Sequence, residues 1–113
     1  MKYPFDGKTA LVTGASGGIG RATALAFAAS GAKVMVSDVQ DEKGAETVAM
    51  ITDSGGTAAF QHCDVSDEAQ VRDLVAATLS QFGGLDFAHN NAGINRNNLA
   101  FHMSDEEWHD VME

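Results

Sequence analysis

Gly14, Gly18 and Gly20 recur at fixed spacing in Thr13-Gly14-Ala15-Ser16-Gly17-Gly18-Ile19-Gly20, directly after an apolar run and directly before a helix-like one. Glycines so placed let a strand turn sharply into a helix, let backbone amides approach a pyrophosphate, and let the helix pack close to the strand. The phosphates then meet the positive end of that helix. A plain tight turn would use the same glycines with no ligand at all. A phosphate loop of the GxxxxGK[ST] type is excluded, because Lys8-Thr9 precedes the glycines and no Lys-Ser or Lys-Thr follows them.

Asp38 stands at the end of the next apolar run, where a carboxylate can accept hydrogen bonds from both hydroxyls of an adenosine ribose. A 2′-phosphate at that place would meet like charge, which favours NAD over NADP. No arginine within Ser16-Gly17-Gly18 offsets the charge, and Arg21 is expected on the exposed face of the following helix. Taken without the glycines, Asp38 reads equally well as a turn residue. Asp64-Val65 either lines an adenine pocket or forms a turn into the next helix. Asn90-Asn91-Ala92-Gly93 either bridges strands, lines the nicotinamide side of the crevice, or makes an ordinary turn.

These residues need elements to hold them, and apolar periodicity supplies the elements. Thr9-Ala10-Leu11-Val12 suits a strand buried on both faces. Residues 18–30 read as a helix with Ala22, Leu25, Ala26 and Ala29 inward, stopped by Gly31. Residues 33–37 form a second strand, and residues 41–54 a second helix with Ala45, Val48 and Ile51 inward. Residues 58–63 form a third, weaker strand. Val71, Leu74, Val75, Thr78, Leu79 and Phe82 then mark the clearest helix, with Ser66 as its expected cap and Gly83-Gly84 as its stop. Residues 85–89 make a fourth strand before the Asn90-Asn91-Ala92-Gly93 turn, and Ser104-Asp105-Glu106-Glu107 is a capping box opening a last helix that bears Trp108, Val111 and Met112. Strands alternating with helices imply an α/β fold with a parallel sheet, in the expected order 3-2-1-4, whose switch point lies between strands 1 and 4.

The composition of the 113 residues is that of one globular domain, with 44% hydrophobic and 20% charged residues. A net charge of −9 leaves no electrostatic footprint for a nucleic-acid or anionic-membrane partner. A single cysteine, Cys63, fits a reducing compartment, and the opening residues lack the apolar stretch of a signal peptide, so a cytoplasmic location is expected. No histidine and cysteine grouping has metal-ligand spacing, so no metal site is assigned.

Thr13-Gly14-xxx-Gly18-x-Gly20, then Asp38, Asp64-Val65 and Asn90-Asn91-Ala92-Gly93, in this order, resemble the short-chain dehydrogenase/reductase family over essentially the whole chain. The resemblance implies a Rossmann-type domain spanning residues 1–113 and an NAD(P)-dependent oxidoreductase that moves a hydride between a nicotinamide and a carbonyl or alcohol substrate. By it, Gly14, Ser16, Gly18, Ile19 and Gly20 line the pyrophosphate and nicotinamide ribose, Asp38 the adenosine ribose, Asp64 and Val65 the adenine, and Asn91 and Gly93 the crevice near strand 4. Residues 92–108 look like those of 3-oxoacyl-carrier-protein reductases and acetoacetyl-CoA reductases. Those subfamilies usually take NADPH, so Asp38 departs from their pattern.

The family's Tyr-xxx-Lys pair, in which the lysine lowers the pKa of a tyrosine acting as general acid or base, has no counterpart here. The one tyrosine is Tyr3, with Gly7 four residues on. No catalytic residue is therefore assigned, the domain reads as incomplete at its C-terminus, and the chain alone is expected to be inactive. A carbonyl or alcohol substrate enters only if the missing half is supplied. The alternative reading is a non-catalytic dinucleotide-binding or interaction module. In either, strand 4 is an open edge through which copies of the chain are expected to associate.

Overall fold

The computed structural model describes residues 4–90, and they form four strands and three helices in alternation. β1 (Thr9–Thr13), β2 (Lys33–Asp38), β3 (Thr57–His62) and β4 (Phe87–Asn90) make one sheet of order β3-β2-β1-β4, parallel throughout. This is the order expected from the sequence. The capping box and helix expected beyond Ser104, with Trp108, Val111 and Met112, lie outside the described residues, as do Asn91 and Gly93.

Strand register sorts the core into two faces. The row Ala59, Met35, Leu11 and Ala88 lies on one side of the sheet and packs with Cys63, Val65, Val71 and Leu74. The row Phe60, Val36 and Val12 lies on the other, with Val34, Ala24 and Ile51. Helix α3 (Glu68–Phe82) therefore covers the first face, and α1 (Gly18–Ala29) and α2 (Asp41–Asp53) the second. All five residues of β1 are buried, because this strand is central and has helices on both sides.

Periodicity located α3 correctly: Val71, Leu74, Val75 and Thr78 are buried. Its cap is Asp67, not Ser66. The Asp67 carboxylate accepts from the Ala69 and Gln70 amides at 2.9 and 3.3 Å, whereas Ser66 gives both its amide and its hydroxyl to Asp64 in the preceding turn. Gly83 closes the helix at φ 81°, its amide donating to Leu79 O at 2.8 Å.

The inward faces of α1 and α2 agree with the expected ones only in part: Leu25, Val48 and Ile51 pack in the core, and the alanines expected beside them do not. Gly20 and Ala24 are buried on α1, while Ala22, Ala26 and Ala29 are exposed. This helix is apolar nearly all round, so spacing could not choose a face; Gly20 and Ala24 lie against the sheet, where small side chains permit close approach. On α2, Gly44, Thr47 and Ile51 are buried, and Ala45 is exposed. The Phe60 ring lies over Gly44, where a Cβ would overlap its ring carbons. The fourth strand starts two residues later than expected, because Asp86 is engaged with Thr9: its carboxylate accepts from the Thr9 amide at 2.8 Å and its own amide donates to Thr9 O at 2.9 Å. It also ends one residue later, taking in Asn90. Among the described residues no helix is long and apolar enough to cross a membrane.

Candidate functional site

The strand order reverses direction between β1 and β4, and parallel α/β sheets bind ligands in the crevice at the carboxyl ends of such strands. The glycine turn leaves β1 at that point and Asn90 ends β4 beside it. Thr13 Oγ1 donates to Asn90 Oδ1 at 2.8 Å, tying the two strand ends across the crevice. The first asparagine of the Asn90-Asn91 pair is thus a strand residue that bridges strands, one of the roles its sequence allowed.

Gly14 and Gly18 have φ of 62° and 56°, in the left-handed region that L side chains rarely adopt. Here the glycines are required by backbone conformation. Around Gly17 and Gly18 an added Cβ would meet open space, so the turn presents bare backbone outward. Gly17 is the N-cap of α1 and offers no side chain to the first-turn amides, and no acidic residue sits in that turn. The partial positive charge at this helix end, about half an elementary charge, is left for an anion from outside the helix. That open, uncapped turn fits a pyrophosphate. Ile19, 72% exposed, stands at the same helix end.

The turn is held from behind by two networks. Thr47 Oγ1, fully buried, donates to Ala15 O at 2.8 Å and accepts from Arg21 Nε at 2.8 Å. Arg21 continues to Lys43 O and to Glu46 Oε1 at 3.0 and 3.2 Å. Arg21 was expected on an exposed face; it is instead docked on α2, because the buried Thr47 hydroxyl and the Lys43 carbonyl lie within reach of its fork. Neither its role nor that of Thr47 was visible in the sequence, since a threonine within a helix pattern carries no signal of what its hydroxyl meets. Replacing Thr47 by valine leaves Ala15 O and Arg21 Nε without this partner. The expected cost is about 1–3 kcal/mol, read as a lowered urea midpoint, while Thr47→Ser, which keeps the hydroxyl, should lose less.

The second network is at Asp38. Ser16 donates its hydroxyl at 2.8 Å and its amide at 3.2 Å to Asp38 Oδ2, and the Gln40 amide donates to Oδ1 at 3.0 Å. Burial by itself would raise the Asp38 pKa. The hydrogen bonds from the Ser16 side chain and from the Gln40, Ser16 and Val39 backbone outweigh it and hold the carboxyl below its ordinary value. Asp38 is therefore an anion at neutral pH. Val39 beside it is 52% exposed, an apolar surface next to a carboxylate that sequence reading passed over.

Asp64 and Val65 follow β3. The Asp64 carboxylate accepts from Ser66 Oγ at 2.7 Å and Ser66 N at 2.9 Å, which lower its pKa, and the Asp64 amide donates to Gln70 Oε1 at 2.8 Å. Val65 is 7% exposed and packs in the α3-side core with Cys63. Burial, with the neighbouring Asp64 charge next, pushes the Cys63 thiol up to about 11, so it stays protonated and unreactive at neutral pH. His62 Nδ1 lies 2.7 Å from Asp41 Oδ1 at the exposed end of β3.

Gly14, Ser16, Gly18, Ile19, Gly20 and Asp38 are thus brought together at one end of β1 and β2, with Asp64 and Val65 at the corresponding end of β3.

Residues 8–113 match the family described as short chain dehydrogenase. The chain is 54% identical over 89 residues to 2,5-dichloro-2,5-cyclohexadiene-1,4-diol dehydrogenase of Sphingobium indicum, covering 79% of this chain and 34% of that protein. It is 43% identical over 109 residues to 3-oxoacyl-acyl-carrier-protein reductase of Escherichia coli, covering 96% of this chain and 43% of that protein. A short chain dehydrogenase/reductase of Burkholderia phymatum, solved in complex with NAD, superposes with a TM-score of 0.73 at 38% identity, covering 76% of this chain and 31% of that one. The chain spans between 31% and 43% of the length of these relatives. With residues 8–113 matched, and with a glycine turn of this geometry at the switch point of a 3-2-1-4 parallel sheet, the chain belongs to the short-chain dehydrogenase family.

Proposed function

We propose that these residues are the cofactor-binding part of an NAD-dependent oxidoreductase acting on a small alcohol or carbonyl substrate. The observation that carries the reading is the uncapped amino end of α1, presented by Gly17 and Gly18 as bare backbone beside an ionised Asp38. An anion-seeking helix end next to an acceptor-only carboxylate complements a pyrophosphate followed by a ribose diol. The relatives support the substrate class, since one is named for a cyclohexadiene diol and another for a 3-oxoacyl group.

In this reading Gly14, Ser16, Gly18, Ile19 and Gly20 surround the pyrophosphate and nicotinamide ribose. Asp38 takes the adenosine ribose, Asp64 and Val65 the adenine, and Asn91 and Gly93 the crevice beyond β4. A bound nicotinamide supplies the hydride donor or acceptor. The chain's own residues bind and orient it: the α1 amides hold negative charge, Asp38 fixes the adenosine end, and Thr13 with Asn90 keeps the crevice walls at a set separation. The 113 residues contain no Tyr-xxx-Lys pair, so none of them is assigned a proton transfer. Asp38 places a negative charge where NADP carries a 2′-phosphate, and NAD is the cofactor of choice for that reason. Calorimetric titration of the chain with NAD and with NADP tests this. Tighter binding of NAD is expected, and the absence of heat with either would remove the reading.

A further inference from the structure

We propose that Ser16 is a positioning residue that acts through Asp38 to set the preference for an unphosphorylated adenosine ribose, an inference that rests on the cofactor reading above. A carboxylate has about four lone-pair directions, two on each oxygen. Ser16 donates twice to Oδ2, with its hydroxyl at 2.8 Å and its amide at 3.2 Å, the Gln40 amide donates to Oδ1 at 3.0 Å, and the Val39 backbone adds a further hydrogen bond. The carboxylate is therefore clamped from the glycine turn on one side and from its own strand end on the other.

Two consequences follow from that clamp. The clamp resists rotation of the carboxylate, so a 2′-phosphate entering beside it meets a held negative charge and gains no donor in exchange. Ser16 is 4% exposed and its single hydroxyl proton is committed to Asp38, so toward a ligand its oxygen offers only lone pairs. Both features suit a diol, which brings donors, and oppose a phosphate, which brings acceptors. Without the Ser16 hydroxyl the carboxylate keeps its backbone donors from Ser16, Val39 and Gln40 but loses its 2.8 Å contact to the glycine turn, and it is held less firmly against an incoming phosphate.

The test is the ratio of the NADP and NAD dissociation constants, measured by calorimetry on the full chain and on Ser16→Ala, Ser16→Thr and Asp38→Ala, with thermal unfolding of each to verify the fold. Ser16→Ala is expected to lower the ratio by about threefold to tenfold, the loss of one charge-assisted hydrogen bond. Ser16→Thr, which keeps the hydroxyl, should retain the wild-type ratio. A merely structural role would weaken both cofactors alike and leave the ratio where it was. An unchanged ratio in Ser16→Ala, or Ser16→Thr matching Ser16→Ala, overturns this inference while a shifted ratio in Asp38→Ala leaves the cofactor reading standing. An unchanged ratio in Asp38→Ala overturns both.

Discussion

Replacing Asp38 by alanine is expected to weaken NAD binding by about 10- to 100-fold, because hydrogen bonds to a charged group contribute about 1.5–3 kcal/mol and each 1.4 kcal/mol is a factor of ten. NADP should lose much less, since the same substitution removes the like charge facing its 2′-phosphate. Isothermal titration with both cofactors reads the two effects separately. Equal losses for NAD and NADP would sink the ribose assignment. The effect has a pH counterpart. The hydrogen bonds from Ser16, Gln40 and Val39 depress the folded-state pKa of Asp38, so its carboxylate persists to lower pH than an unconstrained aspartate. Their contribution to stability is present above the unfolded-state value and is lost as pH falls through the depressed folded value. NAD affinity should follow the same limb, holding through neutral and mildly acidic pH and collapsing only below the usual carboxylate range.

Leu11→Ala is expected to cost about 3–4 kcal/mol, the largest loss of stability among single truncations in the described core. Leu11 is wholly buried at the middle of the central strand and packs on the α3 side with Met35, Val71 and Leu74. Its neighbours belong to β1, β2, β4 and α3, so the cavity cannot be closed by the shift of one element. With a net stability of about 5–15 kcal/mol for a domain, such a loss removes a large share of it. In urea, with a slope of about 1–2 kcal/mol per molar for a small domain, the midpoint should fall by about 2 M. A fall of less than about 0.5 M would show that this face of the sheet is not the packed core described. The substitution does not touch the glycine turn, so cofactor affinity of the remaining folded protein should be unaltered.

The residues proposed to face the cofactor stand out in the sequence because chemistry and backbone conformation restrict them to particular residue types. Gly14 and Gly18 occupy positive φ, which selects glycine at those positions, and Asp38 ends a strand whose apolar run is unmistakable. The helix α3 was legible for a different reason: six apolar or small side chains fall on one stripe against a polar background. Helix α1 was legible as an element but not as a face. Its alanines give no contrast around the axis, so Ala22, Ala26 and Ala29 were expected inward and are exposed. The error at Ser66 is similar in kind. Ser66 and Asp67 are both good caps, and the choice fell to Asp67 because Ser66 was already engaged by Asp64.

By itself the sequence determined the order of elements, the 3-2-1-4 parallel sheet, and the placing of the glycine turn and of a carboxylate at the end of β2, because period, turn chemistry and strand-end position are local properties of the chain. Only the tertiary structure decided how that cluster is held. Ser16 and Asp38 come from different elements and meet because β1 and β2 pair in register, with Thr13 opposite Ser37. Thr47 and Arg21 meet because α1 and α2 pack on the same face of the sheet. Such contacts join residues distant along the chain and depend on where two elements come to rest against a third, which no local pattern encodes.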